Sequence, residues 1–176
     1  MRKTFSALAL VALASGCGMF GHKKDQPAPA TSARATMRDA QGQSLGDITL
    51  MQTAQGVLIT GLLTGVPEGT HAFHVHTVGR CTPSFDAAGG HFNPTARQHG
   101  IRNPAGMHAG DLPNVSVTGG TVRLEFFTTA FTLGTSGTGL LDADGSALML
   151  HALTDDYTTD PSGSAGARIA CGVIQR

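Results

Sequence analysis

THAFHVHTVGRCTPSFDAAGGHFNPTARQHGIRNPAGMHAGDLPN, residues 70–114, carries six of the chain's eight histidines in about a quarter of its length. Within it, His74-Val75-His76 sets two imidazoles two residues apart. In an extended strand such residues point to the same face, so both rings can reach one ion. His91, His99, His108 and Asp111 follow in a segment dense in Gly, Pro and Asn, which predicts an irregular loop. Three imidazoles and a carboxylate suit a tetrahedral zinc ion. A rigid His-x-His platform suits copper or zinc.

Outward from this stretch, strand signals recur at short intervals. Candidates are residues 33–38, 47–53, 56–63, 72–77, 114–117, 121–128, 146–153 and 168–174, with turn signals at Gln41-Gly42, Ala54-Gln55-Gly56 and Gly119-Gly120. The chain has 24 glycines, eight phenylalanines, no tryptophan and only 14% charged residues, a composition of strands joined by glycine-rich turns. These readings predict an all-β domain, an eight-stranded Greek-key barrel or sandwich. Two long segments, 78–113 and 154–167, break the rhythm; loops of that length in a compact domain usually serve function. Residues 33–176, about 144 of them, are enough for one domain with a real core.

The N-terminus has a different character. Met1-Arg2-Lys3, the apolar run 5–14 and then Ser15-Gly16-Cys17 predict a signal peptide over residues 1–16 rather than a membrane span. Cys17 resembles the acylation site of a bacterial lipoprotein, although Leu13 stands one place earlier than the usual leucine; the alternative is a cleaved signal with an incidental cysteine. Gly18 in place of an aspartate resembles lipoproteins sent on to an outer membrane. Residues 17–32 then form a lipidated N-terminus and a polar, proline-bearing tether, in which His22 reads as a solvated histidine. Removing Arg2 and Lys3 from the twelve basic residues leaves ten against twelve acidic ones. That balance disfavours nucleic acid as a partner.

The motifs identify a family resemblance. FHVH at Phe73–His76, GGHFNP from Gly89 to Pro94, HAGDLPN from His108 to Asn114, His151, DDY from Asp155 and GSAGARIACGVI from Gly163 to Ile174 resemble copper–zinc superoxide dismutases. The likeness runs over roughly residues 32–174 and is nearest to the bacterial periplasmic, lipoprotein-type members. The family's fold is an eight-stranded Greek-key barrel, in agreement with the strand reading.

The resemblance implies copper held by His74, His76, His91 and His151, and zinc by His91, His99, His108 and Asp111, with His91 bridging both ions. Asp155 matches the aspartate that hydrogen-bonds a ligand of each metal, His74 and His99 here. Such partners fix ring orientation and raise ligand basicity. Arg168 matches the arginine that stands over the copper and attracts the anionic substrate; a surface arginine paired with a carboxylate is the plainer alternative. The implied reaction is dismutation of superoxide to oxygen and hydrogen peroxide. Copper cycles between Cu(II) and Cu(I), His91 releases copper and takes a proton, and zinc is structural, which would make this an antioxidant enzyme of the cell envelope.

His151 lies in an apolar strand, where a histidine alone would read as a core residue, and His71 reads as a structural histidine bonded to backbone. With Cys17 set aside, Cys81 and Cys171 are an even pair in an oxidising compartment and read as a disulfide, as in the family; two buried free thiols are the alternative. The closed loop of about 90 residues would be worth roughly 4–5 kcal/mol in the chain-entropy model.

One departure stands out. Members of the family often carry lysines and glutamates in the second long loop, whereas residues 152–176 here contain neither. Steering of the anion then falls to Arg168 and the metals, with Arg80, Arg97 or Arg102 as candidate auxiliaries. A copper-delivery domain would lack a copper ligand or Arg168, a copper-only dismutase would lack zinc ligands, and a structural sandwich would bind zinc without copper. The resemblance leaves a monomer or a homodimer open.

Overall fold

Burial with period two organises the first strands of the computed structural model, which describes residues 31–176. The expected signal peptide, Cys17 and the tether as far as residue 30 lie outside the described residues. In β1 (Ser32–Asp39), Ala33, Ala35 and Met37 are buried between more exposed neighbours, as in a strand with one face in a core. β2 (Ser44–Gln52) buries Leu45, Ile48 and Leu50. The phase slips between Leu45 and Ile48 because the β1–β2 ladder is irregular at Met37/Arg38. Gly46 sits at that irregularity with φ 140°, and a side chain there would collide with the Leu62 carbonyl.

The remaining strands are β3 (Val57–Thr64), β4 (Gly69–His71), β5 (Phe73–His76), β6 (Val115–Val117), β7 (Thr121–Thr128), β8 (Ala147–His151) and β9 (Arg168–Val173). Seven form one antiparallel sheet in the order β5-β8-β9-β1-β2-β3-β7, while β4 pairs with β6. β4 and β5 are two halves of one strand broken at Ala72, the first half laddered to β6 and the second to β8. A tight turn at Gly119-Gly120, closed by a Thr118–Thr121 bridge, joins β6 to β7. The seven-stranded sheet thus curls into a half-barrel, and the β4–β6 pair, continuous with β5 and β7, completes an eight-stranded layout. Because β3 lies beside β7, and β8 returns to β5, its path is a Greek key.

The structure adds two features to the expected layout. The strand expected at 72–77 begins earlier, since Gly69 and Thr70 give no apolar alternation yet pair with β6. A third long connection, 129–146, also breaks the strand rhythm. It folds on itself through Thr132 N–H to the Thr138 carbonyl and Leu140 N–H to the Thr132 carbonyl, and buries Phe131, Leu133 and Leu140 in the core. It contains none of the grouped metal-binding side chains.

Every residue of β5 is buried. Phe73 and Val75 join the barrel core, which leaves His74 and His76 on the opposite face under the long segments. β8 divides in the same way: Leu148 and Leu150 enter the core, while Ala147 and Met149 join Cys171 and Ala88 in a second apolar cluster against which Cys81 and Phe85 pack. The Cys81–Cys171 disulfide links residues 90 apart in sequence and ties segment 78–113 to β9. That segment, expected to be irregular, holds one short 3-10 turn at Phe85–Ala88.

Candidate metal centre

β5 ends the sheet, and segment 78–113 covers its free edge. Phe92 N–H donates to the Val75 carbonyl, Val75 N–H to the Gly110 carbonyl and Thr77 N–H to the Gly90 carbonyl. These bonds satisfy an edge that would otherwise be open and bring His91 beside His76. Ring nitrogens of His74, His76, His91 and His151 come within 4.8 Å of one another. The far nitrogen of three of these rings is held: His74 Nε2 donates to Asp155 Oδ2 at 2.8 Å, His76 Nδ1 to the Gly89 carbonyl at 2.9 Å, and His151 Nδ1 to the Gly166 carbonyl at 3.3 Å. Facing inward, His76 Nε2 and His151 Nε2 stand 3.4 Å apart. His74 Nδ1 and His91 Nε2 are buried without a hydrogen-bond partner, at a cost of about 1–3 kcal/mol each if left so.

The second group is His91, His99, His108 and Asp111. Asp111 Oδ1 lies 2.8, 3.1 and 3.2 Å from Nδ1 of His91, His99 and His108, and the Nδ1 atoms of His91 and His108 are 3.4 Å apart. Zinc bonds near 2.0–2.1 Å in a tetrahedron demand ligand–ligand edges of about 3.3 Å, so these four atoms form a zinc-sized cage. Asp111 is aimed by its other oxygen, which accepts from Gly100 N–H at 2.9 Å and His108 N–H at 3.0 Å. Asp155 joins the groups, since its second oxygen accepts from His99 Nε2 at 2.9 Å.

The two groups differ electrostatically. Burial, reinforced by positive charge on neighbouring rings and Arg168, lowers His76 to about 2 and His151 to about 3. Burial also lowers His91 to about 4, against the pull of its hydrogen bond to Asp111. Burial alone would lower His99 too, but hydrogen bonds to Asp111 and Asp155, with their negative charge, outweigh it and raise His99 to about 9. Burial opposes ionisation of Asp111 and Asp155, yet the imidazole hydrogen bonds win and hold both well below the usual carboxylate range.

Arg168 opens β9 directly opposite His151. Its guanidinium donates to the Phe85 carbonyl at 2.6 Å and the Gly89 carbonyl at 2.7 Å, with the exposed Asp86 carboxylate farther off at 3.8 Å. The Gly89 carbonyl thus receives both Arg168 and the ligand candidate His76. His71 stays outside both groups, its ring nitrogens 2.9 and 3.0 Å from the His151 and Pro67 carbonyls, as a structural histidine would be.

Comparison with known proteins agrees with this geometry. The family model for copper/zinc superoxide dismutase matches residues 44–174. A copper–zinc superoxide dismutase of Aquifex aeolicus is 42% identical over 147 residues, covering 81% of this chain and 86% of the relative. One of Caulobacter vibrioides is 41% identical over 149 residues, 82% of this chain and 86% of the relative. A superoxide dismutase-like protein of Bacillus subtilis superposes with a TM-score of 0.76 at 38% identity, over 80% of this chain and 96% of that one. The chain belongs to the copper–zinc superoxide dismutase family.

Membership makes it an oxidoreductase acting on superoxide, with copper and zinc as cofactors. The donor set suits them: a zinc-sized cage around Asp111, and beside it an all-imidazole group with two orphaned ring nitrogens. Around the dismutase centre, three residues play parts that the sequence reading did not assign. Asn114 pairs with both the N–H and the carbonyl of Asp155, each at 2.9 Å. Tyr157 N–H donates to Asp155 Oδ1 at 2.6 Å, and its hydroxyl accepts from Asn114 N–H at 2.7 Å. Asp160 accepts from His99 N–H at 2.6 Å. Asn114 and Tyr157 both lie within quoted motifs, HAGDLPN and DDY, which was the available signal.

Proposed function

We propose that the chain dismutes superoxide in the bacterial cell envelope, holding copper through His74, His76, His91 and His151 and zinc through His91, His99, His108 and Asp111. His91 is the observation that carries this reading: its Nδ1 belongs to the Asp111 cage, and its Nε2 is the orphaned nitrogen left for the all-imidazole group. Bound copper supplies one-electron exchange between Cu(II) and Cu(I), and zinc, with its filled d shell, supplies none.

The side chains do the rest. Arg168, pinned by two carbonyls, presents a fixed positive fork beside His76 and His151 on which a small anion can dock. Two superoxide anions and two protons give one oxygen and one hydrogen peroxide. His91 takes up a proton at Nε2 in the first half-reaction and delivers it to the peroxide in the second, while solvent supplies the other. The Nδ1 edge of the ring would stay fixed meanwhile in the cage it shares with Asp111, and Asp155 holds His74 and His99 in orientation.

Metal analysis with a superoxide-consumption assay tests the reading. About one copper and one zinc per chain with rapid consumption is expected; zinc alone and no consumption would make the domain a zinc module. Arg168→Glu should cut activity at least tenfold at unchanged metal content, and added salt should slow the wild type but not the variant. Unchanged activity with an unchanged salt response would remove Arg168 from substrate docking.

For location, the support is the apolar run 5–14 leading through Ser15-Gly16 to Cys17, and the polar tether after it. We place the domain in the periplasm on an N-terminal lipid anchor in the outer membrane. Wild-type protein should partition with membranes and Cys17→Ser should be released; equal partitioning would mean that Cys17 is not acylated.

A further inference from the structure

A groove of about 940 Å³ runs between the outer face of β1 and β9 and residues 81–86. Its charged lining is Arg34, Arg38, Arg168 and Arg176 against Asp39 and Asp86. Among the described residues, no carboxylate lies within 4.0 Å of Arg34, Arg38 or Arg176. Asp39 is turned into its own loop, accepting from Gln41 N–H at 2.9 Å and Gln43 N–H at 2.8 Å. Asp47, held by Thr36 Oγ1 at 2.6 Å, offsets part of this charge; in a chain with a formal net charge of zero, the four arginines still leave a positive excess on one flank of Arg168. The other flank has the opposite sign. Segment 152–167 contains Asp155, Asp156 and Asp160, the latter two exposed, and no Lys, Arg or Glu.

We infer that the substrate anion is collected from the β1–β9 side, where Arg38, Arg34 and Arg176 form a graded positive field ending at Arg168, and that Asp86 weakens that field at its inner end. The inference rests on the dismutase reading above. Register sets the grading. Arg38 pairs with Cys171, three residues along β9 from Arg168, and Arg34 bridges to Gln175, seven residues along. At about 3.3 Å per residue these offsets are about 10 and 23 Å. The Debye length is about 30 Å at 0.01 M salt and about 10 Å at 0.1 M, so Arg38 acts at both ionic strengths and Arg34 only at the lower. Superoxide approaching over segment 152–167 meets Asp156 and Asp160 instead and is turned away.

The test is kcat/KM for superoxide at 0.01 and 0.1 M ionic strength, alongside azide affinity of the copper- and zinc-loaded domain. Coulombic attraction in water predicts that Arg38→Glu lowers kcat/KM about 2- to 3-fold at 0.01 M and about 1.5-fold at 0.1 M. Arg34→Glu should lower it about 1.3-fold at 0.01 M and leave it unchanged at 0.1 M, and Asp86→Asn should raise it about twofold. Azide affinity should shift in the same order at constant metal content, and Arg38→Gln should give about half the logarithmic effect of Arg38→Glu. The inference is overturned if Arg38→Glu and Asp86→Asn match the wild type at 0.01 M, or if Arg97→Glu or Arg102→Glu slows the enzyme more than Arg38→Glu. Azide reads the field without turnover. A wild type that bound azide as expected but consumed no superoxide would therefore defeat the dismutase reading and leave the field established.

Discussion

The two ligand groups are built by different means. His74, His76 and His151 stand on paired strands, and the β5–β8 register sets them side by side with no carboxylate in the group. His99, His108 and Asp111 stand on an irregular segment, gathered by one carboxylate that accepts from three rings and two backbone N–H groups. The strand group is preorganised by the ladder, and burial keeps His76 and His151 neutral, with lone pairs ready for a metal. The loop group is organised by charge: Asp111, with Asp155 from outside the group, holds a proton on His99 that a metal must displace. A protein can therefore fix one ion by backbone geometry and use the other to fasten a loop.

The largest effect should separate the groups outright. His151→Ala is expected to lose copper and at least a hundredfold in activity, while the loop keeps its protection in hydrogen exchange. His99→Ala should chiefly lose zinc and loosen residues 78–113. Metal content and exchange mapping check both, and a His151→Ala protein with full copper and activity would break the assignment. Asp155→Asn tests the link between the groups, because one carboxylate serves His74 and His99. Affinity should fall about 10- to 100-fold at both sites. A loss confined to zinc would show that the ladder alone orients His74.

Protons give the smallest signal and the sharpest contrast. At pH 7.5, zinc binding to the metal-stripped domain should release the proton held on His99, whose pKa is near 9, whereas copper binding to the metal-stripped domain should draw none from His76 or His151. Calorimetry in buffers of different ionisation heat measures both. Stability of the metal-stripped domain should follow opposite slopes. His99 is raised above its ordinary 6.5, so its contribution is complete below pH 6.5 and lost as pH rises through 9. His76, His91 and His151 are lowered, so below pH 6.5 the unfolded chain takes up protons that the folded one refuses, and stability falls. Denaturant midpoints from pH 4.5 to 9 should peak near 6.5; a midpoint rising steadily to pH 9 would remove the charge-held picture of His99.

Much of this was legible in the chain. Alternation marked most strands, and His74-Val75-His76 announced a shared face, because strand periodicity is local and survives in the residues themselves. β4 was not legible, since Gly69-Thr70-His71 lacks apolar alternation and is strand only because β6 lies beside it. Asp155 was distinguished by family resemblance, not by its surroundings in sequence: Asp156 and Asp160 are chemically equal, and only the packing of segment 152–167 against His74, 81 residues away, selects one of them.

By itself, then, the sequence determined the ligand types, the strand pattern, the cysteine pair and the shortage of basic residues after His151. All of these are properties of residues or of near neighbours. Tertiary structure decided which nitrogen of each ring faces inward, that His91 turns one nitrogen to each group, that Asn114 and Tyr157 clamp Asp155, and that arginines from β1 share a groove with Arg168. Those depend on contacts between segments far apart in the chain. Closing a barrel brings such segments within hydrogen-bond reach, and no local pattern encodes that proximity.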